Sequence, residues 1–349
     1  MECFKRIAAQ HPEHTFIFIS DETLAAELVS INNVVAFKIT SKPKTALLWQ
    51  FWYNYKLPSI LKKNRIDLLI NADGICPLRI KVPQIAIAYD LSFLQKSSST
   101  KKKLKRFYKR PFTKSLDKAA NIITASSFAK KELVNNFSID EKKINSVPTG
   151  INNLYQPTKE TDLTKQKYTE GKEFFLYKGS ADNINFTNLL KAFSLFKRRQ
   201  KSNMQLLIAA NLESNAAFLE SLKTYKYRNE ICLIMNAENT ELASITAASY
   251  AFVYPVLFEN SCENVLQAMR CNVPVIVADI EPFHELCGDN VLYVSSNSFQ
   301  DVAEKMMLLF KDENKRNTLI EKGKQQSIKY NWNKTANQLW NVITETAEL

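Results

Sequence analysis

Glycine is scarce in this chain. Its 349 residues contain six, where an average chain of that length has about 24. Neither a G-x-G-x-x-G turn nor a G-x-x-x-x-G-K-[ST] loop occurs. Any phosphate bound here is therefore held mainly by side chains and helix ends. Histidine is scarcer still: His11, His14 and His284 are too few and too scattered for a histidine metal site. The cysteines, Cys3, Cys76, Cys232, Cys262, Cys271 and Cys287, include no C-x-x-C pair and no zinc spacing. They read as buried thiols in a reducing compartment. No apolar run reaches the length of about eighteen residues that a membrane-spanning helix needs. The opening MECFKRIAAQHPEH is amphipathic rather than a charged-then-apolar signal segment. The expected location is the cytoplasm.

Positive charge is plentiful, and it is unevenly spread. The net charge is +12, and residues 1–150 hold 25 Lys and Arg against 12 Asp and Glu. The remainder holds 22 against 23, so a basic half precedes a neutral half. Lys96–Lys118 alone carries ten basic residues and one acid. Such a run is either a solvated face or a contact for an anionic membrane surface or a nucleic acid. No nucleic-acid motif accompanies it, which ranks that partner last.

Short apolar runs alternate with longer helical patterns along the whole chain. Residues 15–20, 34–39, 67–72, 84–89, 121–126 and 143–148 read as strands, with periodic stretches such as SFAKKELVNNF between them. The polar segment 153–173 interrupts the pattern, which restarts at 173–179, 204–210, 230–236, 251–258, 273–279 and 290–295. Strand–helix alternation of this kind predicts parallel, doubly wound α/β sheets, here in two Rossmann-like domains facing a cleft. The expected domains are 1–157 and 158–328, with 329–349 a helix packing back on the first.

One strand end stands out. YAFVYPVLF runs into Glu259, Asn260, Ser261, Cys262, Glu263 and Asn264 before a helix starts at VLQAM. Ligands of open parallel sheets bind at the carboxyl ends of strands. The free N–H groups of the following helix form a seat for a diphosphate, with Glu263 or Asn264 as its cap. A carboxylate at 259 suits sugar hydroxyls, and Gln267, one turn past Glu263, is within range of a ribose. Spacing leaves an alternative open: Glu259 caps a turn and Gln267 lies on the surface.

The stretch PVLFENSCENVLQAMRCNVPVIVADIEPFHELCGDNVLYV resembles the donor-binding region of the retaining glycosyltransferases of family 4, which have the GT-B fold. FFLYKGSADNINFTNLLKAFSLFKRR, QIAIAYDLSFL, NIITASSFAKKEL and INSVPTGINNLYQP resemble further stretches of that family, so the likeness covers nearly the whole chain. It implies that Glu259 binds the transferred sugar and position 267 the ribose. Asn264, Val265 and Leu266 would offer backbone N–H groups to the diphosphate, flanked by Ser261, Cys262 and Glu263. Gly179 would let the diphosphate approach, with Lys178, Ser180, Asn183 and Asn185 around it, and Asn236 and Ala237 would border the base. Tyr89 and Asp90 stand at the family's catalytic His-Asp position, and Thr149 and Gly150 at the edge between domains. The co-substrate implied is a UDP- or GDP-linked sugar with no other cofactor and no metal. The acceptor implied is a glycan or lipid-linked molecule, with Lys96–Lys118 against an anionic membrane.

The chain departs from the family at these same places. The second glutamate is Gln267, and Asn183 and Ile184 replace an arginine and a lysine. Tyr89 stands for histidine, the turn after Glu259 has no glycine, and the family's first strand is absent ahead of Met1. Lys178 either stands in for the lost cations or faces solvent. A catalytically impaired partner or scaffold with the same fold is the alternative to an active transferase.

Overall fold

The computed structural model describes residues 1–21, 23–39, 48, 51–89, 91, 112–181, 184–213 and 215–347. Asp90, Asn183 and residues 96–111 of the basic stretch lie outside the described residues. The chain divides into two compact units, and the second takes up at Ile151, after Gly150. The helix that begins at Trp332 belongs to the first unit.

In the first unit, β1 (Phe16–Ser20) pairs in parallel with β2 (Val34–Lys38). A separate parallel sheet follows the chain order β3 (Leu69–Asn71), β4 (Gln84–Ile87), β5 (Asn121–Thr124) and β6 (Ile144–Ser146). No backbone pairing joins β1 to β3. Their side chains nevertheless share clusters. Phe16 and Ile70 border the cluster of Ile7, Ile85, Ile123, Leu339 and Ile343, while Ile19 and Leu69 border that of Trp52, Leu57 and Leu61. Every residue of β1 is only partly buried, whereas the strand Phe174–Lys178 of the second unit is buried throughout.

The first helix, Glu2–Gln10, and the last, Trp332–Ala347, bury apolar faces in one cluster over β4 and β5. Gly150 makes that possible. A Cβ there would lie 2.4 Å from the backbone nitrogen of Trp332 and 2.7 Å from its Cα. The glycine expected at a domain edge is thus required by a close backbone approach.

The second unit holds one six-stranded parallel sheet. Its strands are β7 (Phe174–Lys178), β8 (Gln205–Ala209), β9 (Ile231–Ile234), β10 (Ala251–Tyr254), β11 (Val275–Ala278) and β12 (Leu292–Val294). They lie in the order β12-β11-β10-β7-β8-β9. The first half winds outward from β7 in one direction and the second half from β10 in the other. Strand order therefore reverses between β7 and β10, which is the position where open parallel sheets hold ligands. All twelve strands among the described residues fall on the runs read from the sequence. Strands β7, β8, β10 and β11 are buried end to end, as a parallel sheet covered on both faces requires.

Candidate functional site

The reversal point brings together the two loops that the sequence marked. Strand β7 ends at Lys178 and Gly179, and β10 ends at Tyr254 ahead of Glu259. A bridge between Ile184 and Val256 ties the loop after β7 to the segment after β10. Ile184, where the resemblance puts a cation, is 8% exposed and part of the core. Gly179 is crowded rather than twisted: a Cβ would meet the Tyr254 ring at 3.0 Å and the Tyr177 hydroxyl at 3.2 Å. Tyr177 and Tyr254 stack with centroids 5.7 Å apart, and Tyr177 donates to the Ser180 carbonyl at 2.7 Å. These two rings set the floor of the loop.

Glu259 holds its own turn. Its Oε1 accepts from the backbone N–H of Asn260 at 2.8 Å and of Ser261 at 3.1 Å, and its Oε2 accepts from the Tyr254 hydroxyl at 3.0 Å. Asn264 in turn donates to the Tyr254 oxygen at 3.3 Å. Burial first, and the Glu259 charge second, push the Tyr254 phenol well above its ordinary range, so it remains a donor to that carboxylate. The glycine-free turn is built by Cys262, which adopts the left-handed conformation at φ 53° and precedes the helix Glu263–Arg270. This corrects the expected cap: the N-cap is Cys262, without a side-chain bond, and neither Glu263 nor Asn264 fills that place. The cap carbonyl accepts from Leu266 N–H at 3.0 Å, and the N–H groups of Glu263, Asn264 and Val265 precede that first helical bond. Val265 and Leu266 bury their side chains in the core beneath. Gly323, whose Cβ would stand 3.2 Å from Met269 Cγ, lets the helix Glu313–Ile328 lie against the same helix from behind.

A second network lies beside the first. Gln267 is 5% exposed, so it is not the surface residue that spacing allowed. Its Nε2 donates to Glu263 Oε1 at 2.8 Å, and its Oε1 accepts from the Lys178 ammonium. Lys178 is 4% exposed, donates to the Tyr155 hydroxyl at 3.0 Å, and sits 4.2 Å above the centre of that ring. The alternative that it faces solvent is overturned. Burial pulls its pKa from 10.5 down to about 7, against the opposing effects of Cys271 and Glu263. Burial likewise raises the Glu263 carboxyl, with Lys178 pulling the other way, although the residue keeps an exposed face.

Other expected residues lie apart from these networks. Asn185 caps the helix Phe186–Gln200, accepting from Asn188 N–H at 3.2 Å, and Ser180 is exposed. Asn236 takes a left-handed φ of 58° beyond β9, with Ala237 next to it in the chain. Tyr89, in the first unit, donates to the Val147 carbonyl at 2.8 Å and so ties the end of β4 to the end of β6. Thr149 is partly buried beside Gly150. Of the basic stretch, Phe112–Lys118 is described, with Lys114 and Lys118 exposed. The sequence reading missed Tyr254 and Tyr155. Tyr254 ends a wholly apolar strand and reads as core, and nothing in the polar segment around Tyr155 marks it. Among the described residues, no helix is long and apolar enough to cross a membrane.

Residues 4–153 match the profile of Glycosyltransferase Family 4, and residues 158–326 that of Glycosyl transferases group 1. Each unit thus carries a domain of the same kind of enzyme. The chain belongs to the glycosyltransferases of GT-B fold. It is 24% identical over 241 residues to the O-antigen chain mannosyltransferase B of Escherichia coli, covering 68% of this chain and 63% of that protein. It is 23% identical over 283 residues to the O-antigen chain mannosyltransferase RfbU of Salmonella typhimurium, covering 78% and 74%. Among solved structures, WaaG, a glycosyltransferase involved in lipopolysaccharide biosynthesis, superposes with a TM-score of 0.74 at 14% identity, covering 98% of this chain and 95% of WaaG. HepE of Anabaena, in complex with UDP and glucose, gives 0.73 at 13% identity, covering 99% and 96%. These structures share the fold.

Proposed function

We propose that this chain transfers a hexose from a UDP- or GDP-linked donor to a glycan or lipid-linked acceptor in the synthesis of a cell-surface polysaccharide, with retention of anomeric configuration and without a metal. The observation that carries the reading is the pairing, at the reversal point of the second sheet, of a helix amino end with a carboxylate held beside it. The N–H groups of Glu263, Asn264 and Val265 would take the diphosphate. Glu259 would take hydroxyls of the hexose, and Gly179 would let the phosphates approach. The relatives named as O-antigen mannosyltransferases support a mannose-like sugar and a polysaccharide acceptor.

In a retaining transfer of this kind the bond from the anomeric carbon to the phosphate oxygen breaks, and a bond from that carbon to the acceptor oxygen forms on the same face. The acceptor proton passes to the departing phosphate. The N–H groups at the helix end stabilise charge as it develops on that phosphate, which is when they contribute most. Exposed Lys114 and Lys118 continue the basic stretch that would place the chain against an anionic membrane carrying the acceptor.

A chain that keeps this fold without turnover is the competing reading. One observation favours it: buried Ile184 stands where the resemblance puts a cation. Isothermal titration with UDP, GDP and their hexose conjugates separates the readings, followed by proton NMR of the product's anomeric signal. Micromolar binding and a product of the donor's own configuration are expected. Folded protein that binds no nucleotide defeats the donor-site reading, an inverted product defeats retention, and binding without transfer leaves the scaffold.

A further inference from the structure

We propose that Glu263 supplies the acceptor for a ribose hydroxyl of the donor nucleotide, one helical turn before position 267, and that Lys178 and Gln267 are the residues that position it. This rests on the donor-site reading above and names a specificity determinant within it.

Gln267 is poorly placed for the task. Both ends of its amide are committed, Oε1 to the Lys178 ammonium and Nε2 to Glu263 Oε1 at 2.8 Å. Its side chain is buried. Turning it outward would strip an acceptor from an ammonium group that is itself buried, whose other described partner is the Tyr155 hydroxyl at 3.0 Å. Leaving a buried charged group without its partner is strongly unfavourable.

Glu263 has the complementary properties. It opens the helix, keeps an exposed face, and lies four residues before Gln267, on the same side. Its Oε1 is fixed by Gln267, and among the described residues its Oε2 has no hydrogen-bond partner. A carboxylate oxygen only accepts, so the group it suits is a hydroxyl. A negative charge beside a diphosphate seat needs an offset. Lys178 supplies it through Gln267 while it is protonated, and the charged and titratable groups around that pair are Glu259, Tyr155 and Cys271. The result is one hydrogen-bonded relay, Tyr155–Lys178–Gln267–Glu263. It begins in the core and ends on an open carboxylate oxygen next to the helix amino end.

The test is titration of the full chain with UDP and GDP and with the 2′-deoxy and 3′-deoxy forms of whichever binds more tightly. Wild type is expected to prefer the ribonucleotide over at least one deoxy form by about tenfold or more, the value of a hydrogen bond to a charged acceptor. Glu263→Ala should reduce that preference to about twofold or less while leaving affinity for the less favoured deoxy form nearly unchanged. Glu263→Gln, which keeps the shape and a neutral acceptor, should fall between, and thermal melts confirm that each variant folds. Gln267→Ala should lose less of the preference than Glu263→Ala. Ribose preference that survives Glu263→Ala and vanishes in Gln267→Ala overturns the proposal, as does an equal loss of affinity for both nucleotides in Glu263→Ala. Wild type that binds nucleotides without regard to either hydroxyl overturns it alone. Wild type that binds no nucleotide overturns it together with the donor-site reading.

Discussion

Replacing Lys178 by methionine removes one titrating group from the middle of the second unit and keeps the length of its side chain. The lysine's pKa falls from 10.5 in the free state to about 7 in the folded one, chiefly through burial. Between those values the unfolded chain holds the proton and the folded chain has shed it. Stability rises with pH wherever the unfolded state binds more protons, so it should climb from pH 7 upward and level off above the free value. At 1.36 kcal/mol per pH unit, the climb from pH 7 to pH 9 is about 2 kcal/mol. That corresponds to about 4–8 °C in Tm for a unit of this size. The neighbours do not titrate in that window: burial holds both Tyr155 and Cys271 up at about 12. The assay is urea denaturation at pH 7, 8 and 9 on wild type and Lys178→Met, followed by far-UV circular dichroism. The difference between the two proteins should widen in favour of wild type by about 2 kcal/mol across the series. Parallel stability profiles would show that Lys178 keeps an ordinary pKa and that its burial beside Gln267 is wrong.

Three further outcomes follow from the packing. Gly150→Ala should cost about 3 kcal/mol and loosen the last helix, because the new Cβ would meet Trp332 backbone atoms that cannot move independently; far-UV circular dichroism during denaturation reads this directly. Tyr89→Phe should cost about 1 kcal/mol in the first unit through the lost bond to Val147 and change kcat/KM less than about twofold, whereas a catalytic hydroxyl would lose it by orders of magnitude. Ile184→Lys, which restores the charge found in the resembling family, should destabilise the second unit by about 2–4 kcal/mol and fail to tighten nucleotide binding, because that side chain points into the core.

Strand positions were legible because each strand is a short apolar run bounded by polar residues, and a parallel sheet covered on both faces demands that pattern. The reversal between β7 and β10 was not legible, since periodicity carries no information about which strands lie side by side. Glu259 and the helix after it stood out because a buried strand rarely ends in so much polarity. What Glu259 bonds to was hidden, because its partners are backbone groups and a tyrosine that reads as core. The enclosure of Lys178 was hidden for a related reason. A lysine at a strand end is ordinarily solvated, and only the approach of Tyr155 and Gln267, distant in sequence, encloses it. The cap at Cys262 escaped notice because a left-handed cysteine has no compositional signature; asparagine or glycine is the expected residue there.

The geometry of Glu259 shows it capping its turn, and that role is compatible with the sugar contact proposed for it. An ionised carboxylate has about four lone-pair sites over its two oxygens. Oε1 accepts from the N–H groups of Asn260 and Ser261, with the Ser261 hydroxyl a longer third donor at 3.5 Å, and Oε2 accepts from Tyr254. Capping the turn therefore fixes the carboxylate without exhausting it, and the remaining site on Oε2 is free of any described donor. Without glycines, the turn needs such an internal acceptor to satisfy its N–H groups. The same bonds that stabilise the turn leave the carboxylate preorganised, so little rotamer freedom is left to lose when a hydroxyl arrives. Tyr254 links this oxygen to Asn264 at the helix amino end, and so couples the carboxylate to the proposed phosphate seat. The turn cap and the proposed sugar contact are then compatible uses of one side chain, and the loss of glycine around it does not oppose the proposed donor site.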